Sequence, residues 1–412
     1  MEYENPDRQQ DLPGPLDGIR IVEYGVFHAG PGADAILGDL GADVIKIESG
    51  IGDPERYWRD VGGMDFTLPS GDSLTFETSN RNKKGIYVDI ETDMGRNILH
   101  RLIQNADVFL TNLRKSTIKK IGIDYETISK VNPKIIHASV SGYGQEGPMS
   151  DLGAFDPLGM ARSGMLFVTG SPYPVMMHLG ILDQATAIAA SHAILTALVY
   201  RERHGIGQAV HVSLFSTGIW LLYFNFLLST FLKIDKVPTY DRSYHSPLRN
   251  AFVCKDDKIV MATHHPESRY WGTFCEATGQ RALIDDPRFS TDAARKANCP
   301  ELIGIFDQIF LEKTRDEWME IFQKCGLMIS SVQTIAEVST DPQAIINNYV
   351  VPFDHPKLGR VMIPGYPAHF SACRAGTKSA APDMGEHTDI VMKELGFSDQ
   401  EIIIMKNEGV IK

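Results

Sequence analysis

The chain has 412 residues, 43% of them hydrophobic and 22% charged, with a net charge of -12 at pH 7. That length implies two domains rather than one core, and the composition is that of an ordinary soluble globular protein. The acidic balance excludes a nucleic-acid partner, which needs a basic surplus to meet phosphates, but leaves room for a small polyanionic ligand in a local basic pocket.

Residues 1–16 are polar, carry three prolines and are expected to be poorly ordered; MEYENPDRQQ has neither the basic start nor the apolar core of a secretory signal. IRIVEYG (19–25) reads as a buried strand, PGADAILGDLGA (31–42) as a helix with Pro31 in its first turn, and DVIKIE (43–48) as the next strand. KGIYVDI (84–90), DVFLTN (107–112) and KIIHASVSGYG (134–144) continue the strands, with a helix in GRNILHRLIQNA (95–106). This alternation predicts an α/β fold with a Rossmann-like large domain, a parallel sheet covered by helices. A helix from Asp183 to about Arg203, the turn HGIGQ and the strand AVHVSL (209–214) complete it.

The apolar stretch GIWLLYFNFLLSTFL (218–232) is too short and too polar for a membrane span, so it reads as a buried helix. Beyond it the texture changes. AFVCKDDKIVMAT (251–263) predicts a β-hairpin turning at Asp256-Asp257, and ESRYWGTFCEATG, ELIGIFDQIFLEK and RDEWMEIFQKCG predict helices. The domains are therefore drawn as a large N-terminal part over 17–229, a smaller α+β domain over 230–330, and a linker with a return to the large domain over 331–412. The five cysteines, Cys254, Cys275, Cys299, Cys325 and Cys373, form no Cys-x-x-Cys pair, which points to reduced thiols in a cytoplasmic protein without zinc or a disulfide framework.

Three features invite chemistry. The turn GVFHAGPGADA (25–35) fits a loose G-x-G-x-x-A pattern between strand and helix, with Glu48 ending the next strand. It suits a phosphate-bearing ligand, a nicotinamide cofactor among them, or simply a tight turn with close helix packing. SNRNKKG (79–85) and NLRKSTIKKIGIDYE (112–126) concentrate Arg81, Lys83, Lys84, Arg114, Lys115, Lys119 and Lys120; they converge on one anion or form a solvated basic face. Asp183 opens the long helix behind the apolar LGIL. It is either an N-cap or a desolvated nucleophile. His28, His178 and His192 show no metal-ligand spacing. Phe155, Met160, Met165, Phe167, Met176 and Met177 are core residues or the wall of a bulky acyl pocket.

Taken in order, LDGIRIVEYGVFHAGPGADAILGDLGADVIKIE, SNRNKKGIYVDI, NLRKSTIKKIGIDYETISKVNPKIIHASVSGYGQEGP, GAFDPLGMARSGML, DQATAIAASHAILTALVYRERHGIGQAVHVSL, TRDEWMEIFQKCG and GEHTDIVMKELG resemble the class III CoA-transferase family, which includes formyl-CoA and carnitine CoA-transferases. The resemblance implies an interlocked homodimer, or a heteromer with a related subunit. It implies a coenzyme A thioester as substrate and no permanent cofactor or metal, with a carboxylic acid as acceptor. Asp183 falls on the family's catalytic aspartate, which would form an aspartyl anhydride and then an aspartyl-CoA thioester. Phe27, His28, Ala29, Asn112, Leu113, Arg114, Lys120 and Tyr143 fall on its CoA-binding positions. The related α-methylacyl-CoA racemases carry a histidine where this chain has Phe155, so transfer is favoured over racemisation. The chain departs from the formyl-CoA subgroup in TYDRSYHSPLRN (239–250), which lacks that subgroup's glycine run, and at Ser49 and Glu91, which stand where basic CoA contacts are aligned.

Overall fold

The computed structural model describes residues 12–234 and 241–412. Residues 1–11 of the expected polar arm, and Thr239 and Tyr240 of TYDRSYHSPLRN, lie outside them. From Leu16 the chain is fixed, its N–H donating to the Leu40 carbonyl at 2.9 Å. Two compact units result, one of Met1–Val237 with Asn348–Lys412, the other of Pro238–Asn347.

The larger unit is built on strands β1 (Arg20–Glu23), β2 (Asp43–Glu48), β5 (Lys83–Tyr87), β6 (Val108–Thr111), β7 (Ile136–Ser141) and β8 (Gln208–Ser213); β3 (Asp60–Val61) and β4 (Met64–Asp65) form a small separate hairpin. The six long strands make one sheet in the order β5-β2-β1-β6-β7-β8, and every pairing in it is parallel. The reason is legible in the strands: consecutive apolar residues, Ile21-Val22 in β1, Val44-Ile45 in β2 and Val108-Phe109-Leu110 in β6, are all buried, as in strands covered on both faces. The chain moves outward from β1 to β2 and β5, then returns to the other side of β1 for β6. Neighbouring connections thus diverge between the ends of β1 and β6, the crevice where doubly wound sheets bind ligands.

The covering helices are α1 (Pro31–Asp39), α2 (Leu74–Asn80), α3 (Asp93–Gln104), α4 (Lys115–Ile121), α5 (Tyr125–Val131), α6 (Asp156–Ser163), α7 (Ile181–His204), α8 (Leu214–Leu221) and α9 (Tyr223–Leu232). In α3, Thr92 caps the N-terminus through Gly95 N–H, and Ile98, Leu99, Leu102 and Ile103 turn one buried stripe to the sheet. α7 is long and apolar enough to cross a membrane by length and composition. Its Ala187, Ala190, Ile194, Ala197 and Leu198 are instead part of a core shared with Ala33 and Leu37 of α1 and Val108 and Leu110 of β6. The C-terminal segment joins the opposite face: Val391, Met392, Phe397, Ile402 and Met405 pack with Ile86, Ile98 and Leu102.

The stretch 218–232 departs from the single buried helix expected of it. It spans the end of α8 and all of α9, which meet at a 70° bend. No residue of α9 is buried, and Trp220, Phe224 and Phe231 are 73%, 88% and 74% exposed. A helix apolar on all sides needs cover on all sides, and its own unit supplies little.

In the smaller unit, Ala251–Val253 and Ile259–Ala262 form the expected hairpin, with Asp257 in the left-handed region at φ 58°. Ile329–Val332 adds a third antiparallel strand, pairing Val332 with Ile259. Arg315 is then held by Glu337 at 2.9 Å, so the unit continues past residue 330. Its core is aromatic, with Phe252 stacked on Phe310 at 4.4 Å and Phe274, Phe306, Trp318 and Phe322 around them.

Candidate active site

The loop after β1 and the residue after β6 are tied together. Asn112 Oδ1 accepts from Val26 N–H at 2.9 Å, and its Nδ2 donates to the Val26 carbonyl at 2.6 Å. Position 30 is tight: a Cβ there would stand 3.0 Å from that of Asn112. At position 32 a Cβ would meet Ala187 of α7 at 3.1 Å and His28 at 3.2 Å. The glycines of the G-x-G-x-x-A turn therefore serve close packing of α1 on its neighbours, the plainer of the two readings. Phe27 holds a left-handed φ of 59°, with its N–H donating to Asp53 Oδ1 at 3.1 Å. Its ring meets Trp58 and Phe155 edge to face at 5.4 and 5.1 Å.

His28 reaches from this loop to α7. Its Nδ1 lies 2.6 Å from Ser79 Oγ and its Nε2 lies 2.7 Å from Gln184 Oε1. Burial pushes its pKa down, so the ring is neutral at pH 7.

Asp183 is not a cap. The helix begins at Ile181 behind Gly180, whose φ is 64°, and no side chain of the helix caps itself. Asp156 does that work from the start of α6: its Oδ1 accepts the N–H groups of Leu182 at 2.7 Å and Asp183 at 2.8 Å. The Asp183 carboxylate is left with no hydrogen bond and no cation among the described residues. Burial first, and the Asp156 charge second, raise its pKa to about 7. A carboxyl group poised there is ionised in part at neutral pH and poorly solvated when it is, which is the condition for a reactive oxygen nucleophile.

Beneath the loop lies a second set of charges. Lys46 is fully buried and donates to Glu23 at 2.7 Å, Asp53 at 2.9 Å and the Gly25 carbonyl at 3.0 Å. Lys83, equally buried, donates to Glu23 at 2.6 Å, the Pro31 carbonyl at 2.8 Å and Asn80 at 3.0 Å. These contacts fix the loop backbone from below.

The candidate residues thus divide. Phe27, His28 and Asn112 are joined directly, Ala29 lies within the same loop, and His28 links the loop to the residue after Asp183. Leu113 follows Asn112. Arg114 is exposed, its guanidinium 2.9 Å from where a Cβ on Gly153 would stand. Lys120 is exposed on α4 and Tyr143 half-buried after β7, and no hydrogen bond joins either to this group among the described residues. The basic stretches do not converge. Arg81 is bound to Asp39 and Lys84 to Asp43; with buried Lys83 they stand at the start of β5, whereas 114–120 follows the end of β6, the opposite edge of a parallel sheet. His178 and His192 are exposed. Met160 and Met165 are core, whereas Phe155 and Met176 are open. Among the described residues no group of three or more His, Cys, Asp or Glu side chains could hold a metal ion. Asp156, Gln184, Ser79 and Trp58 are the site residues that sequence reasoning passed over.

Comparison with known proteins gives the same frame. The profile of CoA-transferase family III matches residues 16–388. An acyl-CoA transferase of Fusarium pseudograminearum is 32% identical over 405 residues, 97% of this chain and 88% of that protein. An (R)-2-hydroxy-4-methylpentanoate CoA-transferase of Clostridioides difficile is 30% identical over 402 residues, 96% of this chain and 99% of that protein. A solved CaiB/BaiF family protein from Brucella suis superposes with a TM-score of 0.81 at 28% identity, over 93% of this chain and 100% of the other.

Proposed function

This chain belongs to CoA-transferase family III and is a CoA-transferase, and from that premise we propose that it moves coenzyme A from an acyl-CoA to a carboxylic acid through covalent attachment at Asp183. The observation that carries the proposal is the unpaired carboxylate of Asp183 with its pKa raised to about 7. Its oxygen attacks the thioester carbonyl; the C–S bond breaks, giving an aspartyl mixed anhydride and CoA thiolate. The thiolate attacks the aspartyl carbonyl, releasing the donor acid and leaving an aspartyl-CoA thioester. The acceptor carboxylate attacks that thioester carbonyl in turn, forming a new anhydride, and the thiolate takes the acceptor's acyl group. One thioester replaces another, so no ATP is needed. The reaction depends on keeping water from the anhydride. Phe155, packed against Phe27 and Trp58, puts an apolar ring where a racemase would need a second proton carrier.

Coenzyme A is assigned to the crevice between the ends of β1 and β6, where doubly wound sheets take their ligands. Phe27, His28, Ala29, Asn112 and Leu113 line its start, Tyr143 flanks it, and the exposed cations Arg114 and Lys120 meet its phosphates. A dimer, of two copies or with a related subunit, is supported by the uncovered apolar side of α8 and α9. Light scattering should give at least twice the chain's mass of 45.7 kDa, and a monomer would remove this part of the reading.

The test of the chemistry is chemical trapping. Protein incubated with acyl-CoA and then hydroxylamine should carry a hydroxamate at residue 183, found by peptide mass spectrometry. Asp183→Ala should give no adduct and no turnover. Normal turnover by that variant would remove Asp183 from the mechanism.

A further inference from the structure

Attack on a thioester carbonyl pushes the C=O electron pair onto oxygen, and that oxyanion needs a donor until the C–S bond breaks and the pair returns. The first turn of α7 is the obvious source, since helix N-termini offer free N–H groups. Here those of Leu182, Asp183 and Gln184 are occupied. Asp156 holds the N–H groups of Leu182 and Asp183, and Gln184 N–H goes to the Gly180 carbonyl at 2.9 Å. No lysine or arginine among the described residues is paired with Asp183.

We propose that the side-chain amide of Gln184 is the catalytic oxyanion donor of this reaction, and that His28 is the positioning residue that aims it. The inference rests on the reading of Asp183 as nucleophile and names a further residue for the same step. Gln184 Oε1 is bound to His28 Nε2 at 2.7 Å. For that oxygen to accept, Nε2 carries the proton and Nδ1, 2.6 Å from Ser79 Oγ, takes the single hydroxyl proton in place of the Thr75 carbonyl at 3.1 Å. The amide nitrogen is then the free end: its two protons have no acceptor among the described residues, one position along the helix from Asp183. The ring is held at both nitrogens, and glycine at position 32 makes room for it, since a Cβ there would stand 3.2 Å from Nε2. Burial keeps the ring neutral, so the pair adds a dipole without adding a cation that would lower the pKa of Asp183. The reverse amide orientation would turn an acceptor oxygen toward the developing negative charge.

The acceptor acid need not be known to test this. Label exchange between an acyl-CoA and its own free acid runs the whole cycle, using whichever of acetyl-, succinyl- and cinnamoyl-CoA the unaltered full-length protein exchanges fastest. Gln184→Ala, a substitution that favours the helix, should lower the maximal exchange rate about 100- to 1,000-fold while leaving the KM for acyl-CoA within about threefold. Gln184→Glu, which can still accept from His28 but offers no donor, should fall at least as far. His28→Leu should lose rate through Gln184 alone, so that adding it to Gln184→Ala costs nothing more. Gln184→Ala exchanging within about threefold of the unaltered protein, or losing only in KM, overturns the proposal and leaves Asp183 untouched. Full exchange by Asp183→Ala sinks the nucleophile, and this inference with it.

Discussion

Two groups of buried carboxylates occupy the larger unit, and they differ in whether cations reach them. Under the loop after β1, Glu23 is flanked by Lys46 and Lys83, and Glu48 by Arg56 at 2.6 Å. Burial opposes ionisation at both, yet the cations outweigh it and both pKa values are lowered. At the start of α7, half-buried Asp183 lies beside buried Asp156 with no such partner among the described residues, and both are raised. Depth alone does not decide a carboxylate's state: the same desolvation yields a fixed structural charge where a lysine is present and a carboxyl that holds its proton to higher pH where one is withheld.

The largest expected effect comes from erasing the unpaired charge. Asp183→Asn should lower turnover by more than about 1,000-fold while stabilising the fold at alkaline pH. Because the folded pKa lies above the unfolded one, the native state holds the proton longer. The stability this gives is complete below the ordinary aspartate value of 3.8, declines as pH rises, and is gone above about 7. Thermal melts should therefore coincide for the two proteins at pH 4 and separate in favour of the variant at pH 8, by on the order of 2 kcal/mol. A variant less stable at pH 8 would mean that Asp183 has a cationic partner.

Next comes the paired group, broken from the other side. Lys46→Met leaves Glu23 and Asp53 buried with one cation fewer and should cost about 3–5 kcal/mol, read as a fall in the urea midpoint at pH 7. Loss of under 1 kcal/mol would show that these charges are solvated after all.

How far this contrast could be read in the sequence is instructive. The strands were legible because a doubly covered parallel sheet buries consecutive apolar residues, as in Ile21-Val22 and Val44-Ile45, and α3 because its buried residues recur at helical spacing. The α8–α9 error has the opposite cause: a segment apolar all round looks the same whether its own chain or a second one covers it. Within the site, Asp183 stood out only through its place in a family block, since an aspartate opening a helix is ordinarily its cap. What removes that role is Asp156, 27 residues earlier. No local pattern encodes a bond of that span, nor the meeting of His28 with Gln184 across 156 residues. Lys46, one charge inside an apolar strand, gives no sign of which carboxylates it will meet.

A smaller effect is expected at Asp156. Asp156→Asn keeps an oxygen for the N–H groups of Leu182 and Asp183 but removes the charge that helps raise Asp183. The acid limb of the rate profile, set by ionisation of Asp183, should move to lower pH, with a rate loss of about tenfold or less at pH 8. An acid limb that stays in place would assign it to another group.

The smallest effect is expected at a carboxyl beside the paired group that has no cation of its own. Asp34 lies wholly buried in the first turn of α1, close to Glu23, and both burial and that neighbour's charge raise its pKa well above 3.8 despite Lys83 and Lys46 nearby. The lysines are already committed to Glu23 and Asp53, so Asp34 persists as the neutral acid at pH 7. Asn is nearly its isostere, and Asp34→Asn should change stability by less than about 1 kcal/mol at pH 4, where the unfolded chain still holds part of its proton. Its pH dependence carries the sign. Since the native state keeps the proton that the unfolded chain loses, the unaltered protein gives up stability as pH climbs from 3.8, and the variant, with nothing to titrate, does not. The difference in melting temperature should move steadily toward the variant between pH 4 and pH 8. A penalty of several kcal/mol that grows with pH would make Asp34 an ionised partner of Lys83, and the boundary between the paired and unpaired carboxylates would then have to be redrawn around it.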